Sequence, residues 1–432
     1  PVLPPPPVED ALVLLLPLVG GVLDPFAQAP RESEGVFDRR RWEYGRSAMA
    51  GPEEDKACKE LSKEAIKRLT ESDESGDPAP ARQGAALLDR AIVLCPNDPD
   101  LAFQLTLAYV LSQEEPKARA AMRRLENVLR ERALHEGRPE TEVAGDPRFL
   151  YSHARIAFKF GNNPKGALDD LTRLRARDPK FLAGPVASLE FRCRLAYANL
   201  LLRSGDSHGA LKETERAILV ARGDQRRQDI AKRNKGQILR AIDEFIKSQQ
   251  VFEELLTRYP RDAVLRYALA SVLADQMKFD EALVQWRELR ALLGQPDTVD
   301  PREKDQLADA QMRYAMTLLH AGQLEEGKKE LLAYTRANDK DTRGWFYLGQ
   351  AAMEHFDDPD AALGYLEKAR SLDPWCERTL RLLLDLYTNA RPDEGRAKAL
   401  QQTLESPTDK AARKKEMDRR VQTRPDGMSG CD

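Results

Sequence analysis

The chain has 432 residues, 41% of them hydrophobic and 32% charged, so it can bury a large core. Its 68 basic and 71 acidic side chains nearly cancel to a formal net charge of −3, which argues against a general nucleic-acid binder. Five scattered cysteines are too few for a disulfide framework or a zinc site. Since no long run alternates apolar and polar residues with a period of two, we expect an all-α protein.

Residues 1–30 form a proline-rich and apolar arm before the charged part of the chain. The run 11–23 is too short for an ordinary membrane span and is typical of a signal-peptide core, with a small-residue cleavage site at 27–29. Glu9 and Asp10, however, stand where such a signal carries cations. The alternative is an apolar arm that docks on a partner or on the rest of the chain. The cell envelope or the outside of the cell is therefore as compatible with the sequence as the cytoplasm, and any membrane contact would involve residues 11–23.

Three segments follow this arm. We predict a polar linker at residues 31–51, a continuous array of amphipathic helices at 52–405 and a basic C-terminal helix or tail at 406–432. The helical array carries most of the information about the fold.

Two cysteines lie near the ends of the first predicted hairpin. If Cys58 begins its first helix and Cys95 ends its second, antiparallel packing brings the two thiols together. Two interpretations stay open, namely two buried apolar thiols or a disulfide in an oxidising compartment.

The clearest hairpin spans residues 342–373. In its first helix, Trp345 and Leu348 recur at helical spacing on one apolar face. Residues 357–360 (DDPD) end this helix, because proline lacks an N–H donor and aspartate favours a turn and a helix start. A second apolar helix then runs to Pro374. One such hairpin cannot bury its own apolar faces, so it requires neighbours.

Small residues recur where the second helix of each hairpin would cross the first. Successive positions are separated by 34, 49, 43, 38, 34, 45, 34 and 34 residues. The positions are Gly84, Ala118, Ala167, Ala210, Ser248, Ala282, Gly327, Ala361 and Gly395. A small side chain is required there, because a larger one would force the two helices apart. The spacing predicts nine hairpins, with the first and last degenerate.

The residues of this pattern resemble the tetratricopeptide repeat signature, whose period is about 34 residues. They are Trp345, Leu348, Gly349, then Ala361 or Ala362, Ala369 and Pro374. The resemblance implies a right-handed superhelical solenoid of antiparallel helix pairs, with the first helices lining a concave groove. It also implies a protein or peptide partner rather than a cofactor.

In this family, four positions of each first helix face the groove. Applied to this chain, they predict a partner groove that contains Arg192, Asn199, Arg233, Gln237, Arg240, Tyr267, Met312, Met316, Phe346, Gln350 and Met353. Basic and amide side chains come first and aromatic and methionine side chains later, so we expect a peptide with acidic residues at one end and large apolar residues at the other. The family's lysine–asparagine clamp for a C-terminal carboxylate is incomplete, because Asn199 stands at its first asparagine position but Leu195 at its lysine position.

The sequence offers no constellation for catalysis, cofactor binding or metal binding. Residues 322–329 (GQLEEGKK) nearly match a phosphate loop, but Lys329 replaces the required hydroxyl and the context is a helix–helix turn. No histidine has a second histidine or cysteine at ligand spacing. We therefore predict a non-enzymatic protein–protein interaction scaffold that holds peptide segments or subunits of a larger assembly. The alternative is an accessory subunit of an enzyme or of cell-envelope assembly machinery.

Overall fold

A computed structural model describes residues 52–294, 301–406 and Ala411. The predicted N-terminal arm and linker, and most of the C-terminal tail, lie outside the described residues. The eighteen α-helices are α1 (Pro52–Ser75), α2 (Pro78–Leu94), α3 (Pro99–Leu111), α4 (Glu115–His135), α5 (Pro147–Lys159), α6 (Pro164–Arg177), α7 (Ala183–Arg203), α8 (Ser207–Val220), α9 (Gln225–Ala241), α10 (Phe245–Arg258), α11 (Ala263–Asp275), α12 (Phe279–Leu293), α13 (Pro301–His320), α14 (Leu324–Ala337), α15 (Thr342–Glu354), α16 (Pro359–Leu372), α17 (Glu377–Asp385) and α18 (Glu394–Glu405). A short 3₁₀-helix (Glu140–Gly145) precedes α5, and a π-turn (Leu386–Ala390) extends α17.

The all-α prediction is confirmed. The described part of the chain contains no β-strand, and its helices form nine consecutive pairs, α1 with α2 through α17 with α18. In the pair of α9 with α10, the Ser248 hydroxyl donates to the Gly236 carbonyl at 2.7 Å. Within the same residues, no helix has both the length and the apolar character that crossing a bilayer would need. Each pair is a helical hairpin that buries its apolar faces against its own partner and against neighbouring hairpins.

The described residues form two compact units, and the boundary between them falls within α9. We call them the N-unit (residues 52–234) and the C-unit (residues 235–294 and 301–406). The N-unit core contains Tyr151 and Leu150 at the centre of α5. The C-unit core contains Trp286 of α12, whose indole N–H donates to the Thr317 hydroxyl at 3.1 Å. Each unit thus has an apolar core of its own.

The same backbone conformation, a residue with positive φ, recurs in the turns between the two helices of a hairpin. Eight of the nine turns hold a residue with positive φ, and these residues are Gly76, Gln113, Asn162, Gly205, Asp243, Met277, Gly322 and Asp357. At several of them the next residue returns its N–H to the carbonyl five residues back, as Lys278 does to Leu273 at 2.9 Å. This is the Schellman arrangement, which satisfies carbonyl groups left open at a helix end.

Aspartate and asparagine start most of the helices that follow a turn. The side chain of Asp206 accepts from the N–H of Gly209, and that of Asp358 accepts from the N–H of Ala361. Both caps satisfy a donor that the helix itself leaves open. The turn and the cap together fix where these second helices begin, whereas α4, α10, α12 and α14 begin without a side-chain cap.

The small residues at the helix crossings are buried from the first hairpin to the seventh. A Cβ added to Gly327 would lie 2.8 Å from Cδ2 of Leu319, so this crossing requires glycine. In the eighth hairpin the fully buried residue is Ala362, whereas Ala361 is partly exposed. In the ninth, Gly395 is exposed and an added Cβ would meet only Asp393, at 3.5 Å. The prediction was therefore wrong by one residue at Ala361, and Gly395 is not at a tight crossing.

Candidate functional site

The predicted groove residues fall into three groups in the structure. In the N-unit, Arg192, Asn199 and Arg233 are half-buried. In the C-unit, the half-buried residues are Gln237, Arg240, Tyr267, Met316, Gln350 and Met353. Met312 and Phe346 are only 4% and 5% exposed, so they contribute mainly to hairpin cores. The groove itself stays a prediction.

In the N-unit, neutral side chains link successive hairpins. The Asn234 amide donates to Oδ1 of Asn199 at 2.9 Å, and the Thr214 hydroxyl donates to Oδ1 of Asn234 at 3.0 Å. Arg192 lies over the ring of Phe158, with its guanidinium carbon 5.4 Å from the ring centroid. We call Arg192, Asn199, Arg233 and Asn234 the N-unit face. The carbonyl oxygen of Asn199 therefore already accepts one hydrogen bond from the next hairpin.

A buried ion cluster in the N-unit was not foreseen from the sequence. Arg194 contacts Glu190 at 2.6 Å and Glu213 at 2.7 Å, and both carboxylates are almost fully buried. Arg175 contacts the second oxygen of Glu190 at 2.8 Å. A buried carboxylate needs such partners, because desolvation of an isolated charge is very unfavourable. The cluster therefore stabilises the fourth hairpin and its contact with α6.

In the C-unit, a carboxylate connects three successive first helices. Asp309 of α13 accepts from the Tyr267 hydroxyl at 2.5 Å, from Arg313 at 2.9 Å and from Arg343 at 2.9 Å. Asp309 is 7% exposed. Burial alone would raise its pKa, but the charges of Arg313 and Arg343 outweigh burial and hold the pKa below the usual aspartate value. The Asp309 carboxylate is thus ionised in the folded protein.

The same network continues to the start of α15. Arg343 also contacts Asp341 at 2.8 Å, and the Tyr334 hydroxyl donates to Asp341 at 2.5 Å. Asp341 caps α15 through the N–H of Arg343. The network fixes the spacing of α11, α13 and α15 through charged hydrogen bonds, which are stronger than neutral ones.

The surface beside this network combines a cation, an amide and thioethers. The Arg313 side chain remains 33% exposed, and Met316 lies on the same face one turn along α13. On α15, Gln350 donates to Glu354 at 2.8 Å, while its buried Oε1 has no hydrogen-bond partner among the described residues. We call this surface the C-unit face, which comprises Tyr267, Asp309, Arg313, Met316, Gln350 and Met353.

Two histidines come together although they are far apart in sequence. The ring centroids of His320 and His355 lie 6.1 Å apart, and Phe279 stacks on His320 at 5.7 Å. The signal in the sequence was their separation of about one repeat, which places them at the ends of successive first helices. No group of three or more potential metal ligands occurs in the part of the chain that the structure describes.

The near match to a phosphate loop has a structural explanation. Gly322 takes a positive φ of 78° at the turn, and Gly327 lies at the helix crossing.

A shallow cavity of about 530 Å³ lies on α2, α3 and the start of α4. Its acids are already engaged, since Asp89 accepts from Tyr109 at 2.7 Å and Glu114 contacts Lys117 at 2.6 Å. We assign no ligand to either place.

Comparison with known proteins finds similar structures but no similar sequence. No family model and no curated protein matches the chain. Similar solved structures include YrrB, described as a TPR protein with an unusual peptide-binding site (TM-score 0.33, 19% identity, 44% of this chain and 89% of YrrB). A second is the C-terminal part of a TPR protein from Cytophaga hutchinsonii, with a TM-score of 0.42 and 15% identity over 61% of this chain and 97% of that one. A third is the Cut9–Hcn1 hetero-tetramer of the APC/C, with a TM-score of 0.39 and 13% identity over 77% of this chain and 58% of that one. With TM-scores below 0.5, these likenesses carry no argument about function. The chain is a helical-hairpin repeat protein that resembles tetratricopeptide repeat proteins in fold.

Proposed function

We propose that this protein is a non-catalytic scaffold that binds extended or helical segments of protein partners on its first-helix faces. The observation that carries the proposal is the hydrogen-bonded network centred on Asp309. It holds side chains of three successive first helices in place before a partner arrives. A preorganised surface loses less conformational entropy on binding, so more of the contact energy appears as affinity.

The chemistry of the C-unit face suggests what such a segment contains. The exposed part of Arg313 can attract a carboxylate, although Asp309 already neutralises much of its charge. Met316 and Met353 offer flexible apolar surface that adapts to large side chains. We therefore expect an apolar anchor to supply most of the affinity, with an acidic residue beside it to set the register.

A second candidate function is an accessory subunit of an enzyme or of cell-envelope assembly machinery. The apolar run at residues 11–23 motivates the envelope version, and it lies outside the described residues. Both versions require protein partners, so they share the binding surface proposed above and differ only in what is bound.

The test begins with peptides selected by display against the immobilised full chain. Bound peptides are then measured against the Met316→Asp variant, which places a charge where the apolar anchor would lie. We expect dissociation to become at least about tenfold faster, a loss of about 1.4 kcal/mol. Lys329→Glu is the matched control, because Lys329 is exposed on the second helix α14. Peptides that bind Met316→Asp as well as the wild type, but lose affinity for Lys329→Glu, would contradict the proposal.

A further inference from the structure

The thiols of Cys58 and Cys95 meet in the first hairpin. Cys58 lies near the start of α1, and Cys95 follows the last residue of α2. The Cys58 thiol lies 3.8 Å from the carbonyl oxygen of Ala91, and the N–H of Cys95 donates to this same oxygen at 2.9 Å. Both cysteines thus approach one carbonyl group, and both belong to the same buried apolar cluster. The juxtaposition that antiparallel packing predicts is therefore present in the structure.

Both thiols are deeply buried and reduced in this state. Cys58 is 4% exposed and Cys95 is 3% exposed, and neither is in a disulfide. Burial raises the pKa of each thiol, so both are protonated while the hairpin is closed. A reagent can reach them only when the hairpin opens. The pair is thus protected from random oxidation but close enough for mutual bonding.

We propose that Cys58 and Cys95 are a site of disulfide formation, oxidised by thiol–disulfide exchange with a small-molecule or protein disulfide. One cysteine thiolate attacks the disulfide, forms a mixed disulfide and releases one thiol. The second cysteine thiolate then attacks the protein sulfur of the mixed disulfide and releases the other thiol. The protein loses two hydrogens, and the oxidant gains them as two thiols.

The position of the pair gives the bond a mechanical effect. In the described residues, α1 packs against α2 and α3. Helical hairpins open locally at a lower free-energy cost than that of global unfolding. Such an opening exposes the thiols to the oxidant, and the bond then holds the start of α1 against the end of α2. Closing so long a loop reduces the entropy of the unfolded chain.

The experiment uses the full chain equilibrated in a mixture of reduced and oxidised glutathione, set to the redox potential of an oxidising compartment. We expect peptide mapping without reduction to find Cys58 linked to Cys95 in most molecules. We also expect oxidation to raise the midpoint of thermal unfolding and to slow proteolytic cleavage within α1. Both changes should reverse on reduction.

Three variants test whether the response to oxidation depends on Cys58 and Cys95. Cys58→Ala and Cys95→Ala should lose the stabilising effect of oxidation, while their melting in reducing buffer reports any packing defect separately. Cys193→Ala is the matched control, because Cys193 is also buried and reduced but belongs to a different core cluster from Cys58 and Cys95. It should keep the full oxidation response. Oxidation that yields only glutathione adducts, or leaves both thiols free in the wild type, would overturn the proposal.

Discussion

Side-chain hydrogen bonds join successive hairpins in both units, but the N-unit uses neutral groups and the C-unit uses charged ones. Both must join the first helices of successive hairpins where polar side chains are half-buried. The N-unit uses a neutral chain from Thr214 through Asn234 to Asn199. The C-unit uses the Asp309 carboxylate with two arginines and a tyrosine. A neutral link is weaker, whereas a buried charge makes every partner indispensable.

The largest difference between the faces should appear when the central residue is removed. Asp309→Ala leaves Arg313, Arg343 and the Tyr267 hydroxyl without their shared acceptor. We expect the free energy of unfolding of the C-unit to fall by about 3 kcal/mol, since a buried charge then loses its partner. Chemical denaturation of the full chain, followed by hydrogen exchange of α11, α13 and α15, measures the loss.

The corresponding change in the N-unit should be milder. Asn234→Ala removes one donor from Asn199 and one acceptor from Thr214, whose hydroxyl can still bond the Ala210 carbonyl at 3.0 Å. We expect a loss of about 1 kcal/mol, which the same denaturation and exchange measurements detect. If Asn234→Ala is as destabilising as Asp309→Ala, the distinction between a neutral link and a charged network fails.

The two units should also respond differently to pH. In the N-unit, burial and the nearby Asp100 raise the pKa of Asp98 to about 6. A carboxyl whose pKa is higher in the folded state binds its proton more tightly there, so this contribution to stability is lost as the pH rises from about 4 to 6. Asp309 behaves in the opposite way, because its lowered pKa contributes stability that is lost as the pH falls below about 4.

The variant Asp98→Asn isolates the N-unit effect. Asparagine keeps the cap of α3, where Asp98 accepts from the N–H of Asp100 at 2.8 Å, but it does not titrate. We expect the stability of the variant relative to the wild type to increase as the pH rises from 4 to about 6. Unfolding curves at several pH values provide the test. A difference that is independent of pH would show that the Asp98 carboxyl is not perturbed as described.

The smallest expected effect concerns the electrostatics of partner binding. Arg233→Glu reverses one charge on the N-unit face. For acidic peptides from the display selection, we expect slower association and a weaker dependence of the association rate on salt, with little change in dissociation. Stopped-flow kinetics at two salt concentrations measure both rates. A change confined to dissociation would mean that Arg233 makes a short-range contact instead.

The repeat of helical hairpins could be predicted from the sequence, but the side-chain networks between hairpins could not. Helical period, turn chemistry and small residues such as Gly327 determine each hairpin locally, so the nine hairpins could be predicted. The predicted crossing residue was wrong by one position at Ala361, because Ala361 and Ala362 are equally small and only packing decides which of them is buried.

Contacts between hairpins depend on how far each helix is displaced along its neighbour, and spacing in sequence does not contain that offset. The ion pair between Asp309 and Arg343, which are 34 residues apart, could therefore not be predicted from the sequence. For the same reason, the burial of Met312 and Phe346 was missed.

Photo-crosslinking tests most directly the claim that the first helices form the binding surface. A display-selected peptide that carries a benzophenone group in place of its apolar anchor is irradiated with the full chain, and the labelled residues are mapped by mass spectrometry. We expect labels on α13 and α15, at Met316 or Met353, and loss of these labels with Met316→Asp. Labels confined to the second helices α12, α14 and α16, unchanged by Met316→Asp, would contradict a binding surface on the first helices.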